Sequence, residues 1–223
     1  MVESKAWDWG IIKDGDDRRR IWLEPAIESY YLIGRWQNQG KKDFLDLGCG
    51  LGRHTIQFAK AGFTTFGFDL SEESIRSTKK YAKQAKVDID LKIGDMLELP
   101  YSDKSFDCVY CRNVISHTDT AGIRKIVSEL KRILRDGGEC YLTLGSKKTW
   151  GFQQDWPVVD ENTKIRVEDG PENGIPHFYA DYDLIQDLFK DFEIIKIFHV
   201  EDFYKKDNKT LNSFHYHILI KNC

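Results

Sequence analysis

The residues with the clearest chemical signal are three glycines at alternate positions, Gly48, Gly50 and Gly52, which follow a short apolar segment. Glycine has no Cβ, so the backbone amide groups of such a loop can come close to a bound ligand. Asp46 lies inside the apolar segment, and Arg53 directly follows the last glycine. A loop of this kind between a strand and a helix predicts a binding site for a nucleotide-like ligand.

Three further polar residues, Asp69, Asp95 and Asn113, stand at or near the ends of predicted strands. In an open α/β sheet, ligands bind beyond the carboxyl ends of the strands, where such residues converge. A carboxylate at the position of Asp69 can accept hydrogen bonds from both hydroxyls of a ribose. A dinucleotide site also carries an acid there, so Asp69 alone does not distinguish a dinucleotide from another ligand that contains a ribose.

Arg53 and Asp46 do distinguish a dinucleotide from such a ligand. Arg53 occupies the place where a dinucleotide fingerprint has its third glycine, which allows close helix–strand packing. The carboxylate of Asp46 would repel a pyrophosphate but attract the ammonium group of an amino acid. A ligand with an ammonium group, a ribose and an adenine but no phosphate fits all of these residues. S-adenosylmethionine is such a ligand.

Alternating strand and helix patterns position these residues. The clearest helix has apolar residues at helical spacing over residues 123–134. The predicted parallel strands cover residues 44–47, 63–70, 89–96, 105–116 and 139–146. Residues 192–204 and 212–222 flank a short polar connection, which predicts an antiparallel hairpin. We therefore expect an α/β fold with a doubly wound, mostly parallel seven-stranded sheet that ends in an antiparallel hairpin.

The 223 residues predict one domain with four parts. Residues 1–40, rich in Trp and Tyr, are expected to form a helical lid, and residues 41–145 form the cofactor-binding core. Residues 146–182 have no regular pattern and are expected to cap the substrate. Residues 183–223 supply a helix and the C-terminal hairpin.

Three stretches within residues 42–145 carry a family resemblance: "DFLDLGCGLGRHTIQFAKAGFTTFGFDLS", "IGDMLELPYSDKSFDCVYCRNVISH" and "ELKRILRDGGECYLTL". They resemble the class I S-adenosylmethionine-dependent methyltransferases of the small-molecule branch, akin to quinone-biosynthesis methyltransferases. The resemblance implies a Rossmann-like fold, S-adenosylmethionine as the cofactor, and methyl transfer to a small-molecule acceptor. The cofactor-binding residues that it implies are Asp46, Gly48, Cys49, Gly50, Gly52, Arg53, Asp69, Leu70, Asp95, Met96, Arg112, Asn113 and Val114.

The resemblance also implies a role for each part of this set. Asp46 and the backbone at residues 48–50 hold the methionine end, and Asp69 binds the ribose hydroxyls. Leu70 packs on the adenine, while Asp95 takes the adenine amino group with Met96 beside the ring. Residues 112–114 line the floor under the sulfonium.

Methyl transfer from a sulfonium does not require a particular catalytic residue, because the leaving group is already activated. A phenol or alcohol acceptor usually benefits from a general base, whereas a thiol or amine needs none. The candidate catalytic residues are His117, His177 and Tyr179. His177 is the first choice for a contact with the acceptor, although it could equally be a structural loop histidine, and His117 could simply cap its loop.

We predict no metal site. Cys108 and Cys111 have the spacing of half a zinc site, but they lie on a strand, where positions i and i+3 face opposite sides, and no second pair exists. His199, His215 and His217 fall on neighbouring strands, which is typical of a half-buried strand face.

The charge pattern gives no reason to bind nucleic acid. The formal net charge is −3 and the pI is about 6.1. Residues 150–183 carry eight acids against two bases, which would repel a phosphate backbone. No apolar run or signal peptide is evident, so no membrane partner is expected and the cytoplasm is the expected location.

Two alternatives stay open from the sequence. One is a non-catalytic S-adenosylmethionine-binding partner subunit, and the other is a nicotinamide-dependent oxidoreductase. The acceptor and the oligomeric state are undetermined by these patterns.

Overall fold

Strands and helices alternate along the chain in the computed structural model, which describes residues 2–9, 22–206 and 209–223. The helices in these ranges are α1 (Ile27–Asn38), α2 (Arg53–Lys60), α3 (Glu72–Ala85), α4 (Thr120–Ile133) and α5 (Tyr182–Leu188). The strands are β1 (Asp43–Leu47), β2 (Thr64–Asp69), β3 (Asp90–Ile93), β4 (Phe106–Cys111), β5 (Leu134–Ser146), β6 (Val158–Asp160), β7 (Thr163–Ile165), β8 (Pro176–Ala180), β9 (Phe192–Lys206) and β10 (Lys209–Asn222). None of the described helices combines the length and apolar character that a membrane crossing requires.

The strands form one sheet whose main body follows the order β3, β2, β1, β4, β5, β10, β9. The first five of these are parallel neighbours. β10 lies antiparallel between β5 and β9, and so completes the hairpin. This arrangement confirms the predicted fold class.

Alternate residues of the central strands face two different apolar layers. Leu45 of β1 and Val109 of β4 pack in the layer that contains α4. Phe44 and Tyr110 pack in the opposite layer, which contains α1. Helices therefore cover both faces of the sheet, as expected of a parallel sheet.

The region of residues 146–182, which showed no regular pattern in the sequence, adds three short strands to the predicted seven. β6, β7 and β8 pair antiparallel with one another. β8 also joins the end of β5, where Gly145 and Ser146 pair with Tyr179 and Ala180. This pairing holds His177 and Tyr179 at the same sheet edge as the glycine loop.

The N-terminal region differs from the predicted helical lid. Residues 2–9 form no α-helix, and residues 10–21 lie outside the described residues. α1 buries Leu32 and Trp36 in the layer that contains Phe44 and Phe58, because burying an indole and a leucine against the sheet is strongly favourable. α1 is thus part of the core. The division of the chain at residues 40, 145 and 182 stays a prediction.

Candidate active site

A first cavity, called here the cofactor cavity, lies at the carboxyl edge of β1, β2 and β4. Trp7, Trp9 and Trp22 cover one side of it. The cavity is lined by all of the predicted cofactor residues except Gly52: Asp46, Gly48, Cys49, Gly50, Arg53, Asp69, Leu70, Asp95, Met96, Arg112, Asn113 and Val114. The sequence therefore predicted a set of residues that the fold brings together, and their roles stay predictions.

The glycine loop makes room for its neighbours. A Cβ on Gly48 would come within 2.4 Å of a Val114 methyl group, and one on Gly52 within 2.6 Å of the Thr78 side chain. Both glycines also have positive φ, 76° and 84°, which other residues rarely adopt. Gly52 precedes α2 and lies behind the cavity wall, so its contribution is to the shape of the loop.

The amide groups of this loop donate within the protein, which differs from the expectation that they face a ligand. The N–H groups of Gly48 and Cys49 both donate to the Phe68 carbonyl, at 2.7 and 3.0 Å. The Gly50 N–H donates to Oδ2 of Asp69 at 2.8 Å. A pyrophosphate would need such amides as donors. Because these amide groups already donate to acceptors within the protein, they argue against a bound dinucleotide and hence against the oxidoreductase alternative.

Asp46 is buried at the end of β1, with a relative exposure of 2%. Its Oδ2 accepts a hydrogen bond of 2.6 Å from the Thr55 hydroxyl. Burial raises the pKa of this carboxyl to about 6, and the nearby charge of Asp69 adds to the shift. The carboxylate is therefore ionised at neutral pH but has few donors, which suits a cationic partner in the cavity.

Asp69 closes β2 and is better supplied with donors. Its Oδ1 accepts from the Ser71 N–H at 2.9 Å, while its Oδ2 holds the Gly50 N–H. Burial nevertheless raises the pKa of Asp69, because desolvation outweighs these bonds. Each carboxylate oxygen has more than one lone pair, so both can still accept a ribose hydroxyl.

The remaining walls of the cofactor cavity come from the segments after β3 and β4. Asp95 accepts from the Leu97 N–H at 2.9 Å and lies beside Met96 in the cavity wall. Asn113 has a φ of 58°, a left-handed conformation uncommon for a residue other than glycine. Thr143 holds it there with two hydrogen bonds, at 2.8 and 3.0 Å. Strained backbone of this kind is often found at binding sites.

Arg112 turns toward α1 as well as toward the cavity. Its Nε donates to Oε1 of Glu28 at 2.6 Å, and the opposite charge raises the pKa of Arg112 despite its burial. The Tyr110 hydroxyl donates to the same oxygen at 3.3 Å. α1 therefore fixes the position of a residue in the wall of the cofactor cavity.

A second cavity, called here the acceptor cavity, adjoins the first and has a volume of about 240 Å³. The two cavities share Trp7, Trp22, Asn113 and His117. Pockets for drug-sized ligands usually have volumes of about 300–1,000 Å³, so this volume suits a small molecule. The other residues that line it are Ser116, Gly145, Thr149, Trp150, Gly151, Trp156, Arg166, Glu172, His177, Phe178, Tyr179, Ser213 and His215.

All three candidate catalytic residues line the acceptor cavity. The rings of His117 and His177 have centroids 5.0 Å apart. Burial lowers the pKa of His117 to about 4 and holds that of His177 well below its usual value, and the positive charge of Arg166 contributes to both shifts. Both rings are therefore neutral at physiological pH. The buried Tyr179 ring lies 6.4 Å from that of His177.

The other histidines and the cysteine pair do not form metal clusters. His199 hydrogen-bonds Ser146 at 2.9 Å, and His217 pairs with the Tyr141 hydroxyl at 2.5 Å. Cys108 and Cys111 belong to the two opposite apolar layers of the sheet, as their strand positions predicted.

Arg166 and Glu172 were not singled out in the sequence. Both line the acceptor cavity and form an ion pair. They lie in an irregular stretch with other charged residues, and no motif marks them. Trp7 stood out only as one of many N-terminal aromatics, although its ring lies 6.4 Å from that of His117.

Part of this chain matches a known protein family. The model of a family described as "Methyltransferase domain" matches residues 44–138. These residues therefore match a methyltransferase domain. The resemblance stated from the motifs is thereby confirmed over this part of the chain.

Three methyltransferases illustrate the similarity. A ubiquinone biosynthesis O-methyltransferase of Rickettsia akari is 31% identical over 135 residues, which are 60% of this chain and 51% of that protein. Norajmaline N-methyltransferase of Rauvolfia serpentina is 35% identical over 101 residues, 43% of this chain and 33% of that one. A crystal structure of an S-adenosylmethionine-dependent methyltransferase from Methanosarcina mazei has a TM-score of 0.68 at 20% identity, covering 82% of this chain and 92% of that one.

These matches have a limited reach. The chain spans about half the length, or less, of the curated relatives that it matches. The similarity to the solved methyltransferase, at 20% identity, concerns the fold. The family match therefore lies within residues 44–138, and the activity, the cofactor and the acceptor of the whole protein are matters for a proposal.

Proposed function

We propose that this protein transfers the methyl group of S-adenosylmethionine to a small-molecule acceptor by in-line displacement. The observation that carries the proposal is the pair of adjoining cavities that share Asn113 and His117. One cavity is lined mostly by residues of the matched methyltransferase domain, among them the carboxylates of Asp46, Asp69 and Asp95. The other has a wall of aromatic and imidazole rings. Two ligands bound in this way would meet at the end of β4.

The residues of the cofactor cavity fit S-adenosylmethionine. Asp46, ionised and short of donors, would hold its ammonium group, and Asp69 its ribose hydroxyls. Asp95 would take the adenine amino group, with Leu70 and Met96 against the ring. When bound, S-adenosylmethionine supplies a methyl group on a positively charged sulfur that is a good leaving group.

The contribution of the chain is then positioning and the exclusion of water. Holding two reactants in line and close together can lower a barrier by about 7–11 kcal/mol in favourable intramolecular models. Trp7 and Trp22 cover the junction of the two cavities. The neutral rings of His117 and His177 can accept a hydrogen bond from the acceptor and so orient it.

Several observations support a small acceptor. The acceptor cavity holds about 240 Å³, and three tryptophans besides Trp7 line it, namely Trp22, Trp150 and Trp156. The acidic residues 150–183 would repel nucleic acid. Relatives named for ubiquinone biosynthesis and for norajmaline act in the methylation of oxygen and nitrogen, respectively. We also propose a cytoplasmic location, as expected from the sequence.

The test is a pair of measurements on the intact protein. S-adenosylhomocysteine should raise the melting temperature and bind in a calorimeter, while NAD⁺ should do neither. A screen of metabolite pools with isotopically labelled S-adenosylmethionine then identifies the labelled product. Stabilisation by NAD⁺ alone would overturn the proposal, as would cofactor binding with no labelled product from any pool, the outcome expected of a non-catalytic partner subunit.

His177→Ala tests the contact with the acceptor once that acceptor is known. Cofactor affinity should stay within about twofold of wild type, because His177 lies outside the cofactor cavity, and methyl transfer should fall by about 10²–10⁴-fold. His199→Ala removes a histidine outside both cavities and should leave transfer unchanged. Turnover at the wild-type rate in His177→Ala would refute the role.

A further inference from the structure

One cluster in the acceptor cavity has the composition of a metal site. His117, Glu172 and His177 each offer one ligand atom, and these atoms all lie within 4.8 Å of one another. His117 follows β4, Glu172 lies in the stretch before β8, and His177 is in β8. The fold thus brings together three possible ligands from three separate segments, and all of them line the acceptor cavity.

Two of the three candidate ligands are histidines, His117 and His177. Neutral imidazoles have a lone pair free for coordination. Nε2 of His177 is buried and has no hydrogen-bond partner. A buried polar atom without a partner destabilises the folded protein, and a bound ion would supply that partner.

The carboxylate of the cluster is oriented by a neighbour. One oxygen of Glu172 accepts from Arg166, and its other oxygen, Oε1, lies 3.9 Å from Nε2 of His117. A hydrogen bond to a ligating carboxylate is a usual feature of metal sites, because it fixes the direction of the ligand.

We propose that His117, Glu172 and His177 bind a divalent transition metal ion, with an open coordination position toward the acceptor cavity. Two histidines and one carboxylate are the ligand set of catalytic zinc sites and of non-haem iron(II) sites. Ligand atoms around such an ion lie roughly 3–3.5 Å apart. Side-chain rotations that move these atoms by about 1 Å would therefore bring them to coordination distance. This site departs from the sequence-based expectation of no metal.

The role of the ion rests on the proposed function, whereas its binding does not. An acceptor oxygen at the open position would have a lowered pKa, since the ion acts as a Lewis acid. The hydroxyl proton would pass to solvent, the oxygen lone pair would form the bond to the methyl carbon, and the sulfonium sulfur would keep the electrons of the broken C–S bond.

The test is a titration of the full-length, metal-free protein with Co²⁺, followed by visible absorption, with Zn²⁺ as the competitor. Wild type should give the intense bands of a four- or five-coordinate Co²⁺, which Zn²⁺ abolishes. His177→Ala and Glu172→Gln should bind at least about 100-fold more weakly. His215→Ala is the matched control, because His215 lines the same cavity but is outside the cluster, and it should bind as wild type does.

Calorimetry with S-adenosylhomocysteine on the same variants separates the two proposals. All variants should keep wild-type affinity for it, which also shows that they are folded. The absence of Co²⁺ bands in wild type would overturn the metal site, as would unchanged Co²⁺ affinity in His177→Ala or its loss in His215→Ala. Failure of S-adenosylhomocysteine to bind wild type would instead count against the proposed function and leave the Co²⁺ result to stand.

Discussion

Two carboxylates, Asp46 and Asp69, line the cofactor cavity at the edge of the sheet, and their partners differ. Asp46 accepts from the hydroxyl and the backbone N–H of Thr55, whereas Asp69 accepts from the backbone amides of Gly50 and Ser71. Burial raises the pKa of both. Asp46 is thus suited to a charge in the ligand, and Asp69 to the joint task of shaping the loop and binding hydroxyl groups.

Cofactor binding should depend on pH through Asp46. Its pKa of about 6 means that the free protein holds a proton on this carboxyl below that pH, and a cationic ligand must displace it. The affinity for S-adenosylhomocysteine should be constant above about pH 7 and fall by up to about tenfold per pH unit below pH 6. Calorimetry across this range checks it. Asp46→Asn should bind weakly with no such slope, and a slope that persists in this variant would contradict the assignment.

The same carboxyl affects stability with the opposite sign. Because its pKa in the folded protein lies above the ordinary value of 3.8, its contribution to stability is present below about pH 4 and is lost as the pH rises through about 6. The ligand-free protein therefore holds Asp46 ionised at neutral pH at a cost that a cationic ligand relieves.

Asp69→Ala should weaken S-adenosylhomocysteine binding at least about tenfold, because it removes charge-assisted hydrogen bonds worth about 1.5–3 kcal/mol each. The matched control is Asp107→Ala. Asp107 also accepts from two backbone amides, those of Lys42 and Asp43, both at 2.9 Å, but it lies near the start of β4 at the opposite edge of the sheet. Wild-type affinity in a folded Asp69→Ala protein, measured by calorimetry, would be inconsistent with the ribose role.

Gly48→Ala should lower the free energy of unfolding by about 2–4 kcal/mol, from a positive φ of 76° and a clash with Val114. Gly40→Ala isolates the first effect, because Gly40 has a φ of 70° but open space around its Cβ position, and about 1 kcal/mol is expected. Urea unfolding of both variants measures the difference. Equal losses would show that contact with Val114 does not constrain the loop.

At the level of elements, the sequence predicted those parts whose burial imposes a period. α4 buries Ile123, Ile126 and Leu130 at helical spacing, so the helix was evident. Its predicted end was wrong, because β5 already begins at Leu134, inside the predicted helical run. The central strands were evident because both of their faces are covered. Ser71 caps α3, where its hydroxyl accepts from the Ser74 N–H at 3.3 Å. The acids at the strand ends could be predicted because parallel strands place their carboxyl ends at one edge.

The segments that form the acceptor cavity could not be predicted from a period in the sequence. β6 and β7 have three residues each, too few for a period, and they form because β8 is fixed to the end of β5. Residues 2–9 likewise owe their position to distant partners: the Asp8 N–H donates to the Pro171 carbonyl and Lys5 Nζ to the Asn173 carbonyl. Contacts between segments so far apart leave no local pattern, which is why Glu172 was overlooked.

The N-terminal segment should respond to the cofactor, because Trp7, Trp9 and Trp22 line the cofactor cavity. The Trp9 ring lies against Gly50, with its Cζ2 3.4 Å from the position of a Cβ there. Proteolytic cleavage before residue 22 should slow when S-adenosylhomocysteine is added. Trp9→Ala should reduce this protection, whereas Tyr30→Ala, which removes an exposed aromatic of α1, should retain it. Equal cleavage rates with and without ligand would argue against a lid.

For the molecule as a whole, the distribution of charge limits the range of substrates. The acidic stretch of residues 150–183 continues from the end of β5 and supplies much of the wall of the acceptor cavity. A phosphate backbone would meet net negative charge there. We expect no methylation of RNA or DNA in an assay with labelled S-adenosylmethionine at low salt, where electrostatic binding is strongest. Efficient labelling of either polymer would overturn the substrate class.

Trp7 and Trp22 line both cavities, so the same two side chains border two binding sites. A cover shared in this way has a kinetic consequence. The methylated product and the spent cofactor must both pass Trp7 and Trp22 to leave. Each turnover therefore waits for these residues to move away from the cavities. Acceptors of quite different intrinsic nucleophilicity should then share nearly the same kcat and differ in KM, with a burst of product in the first turnover.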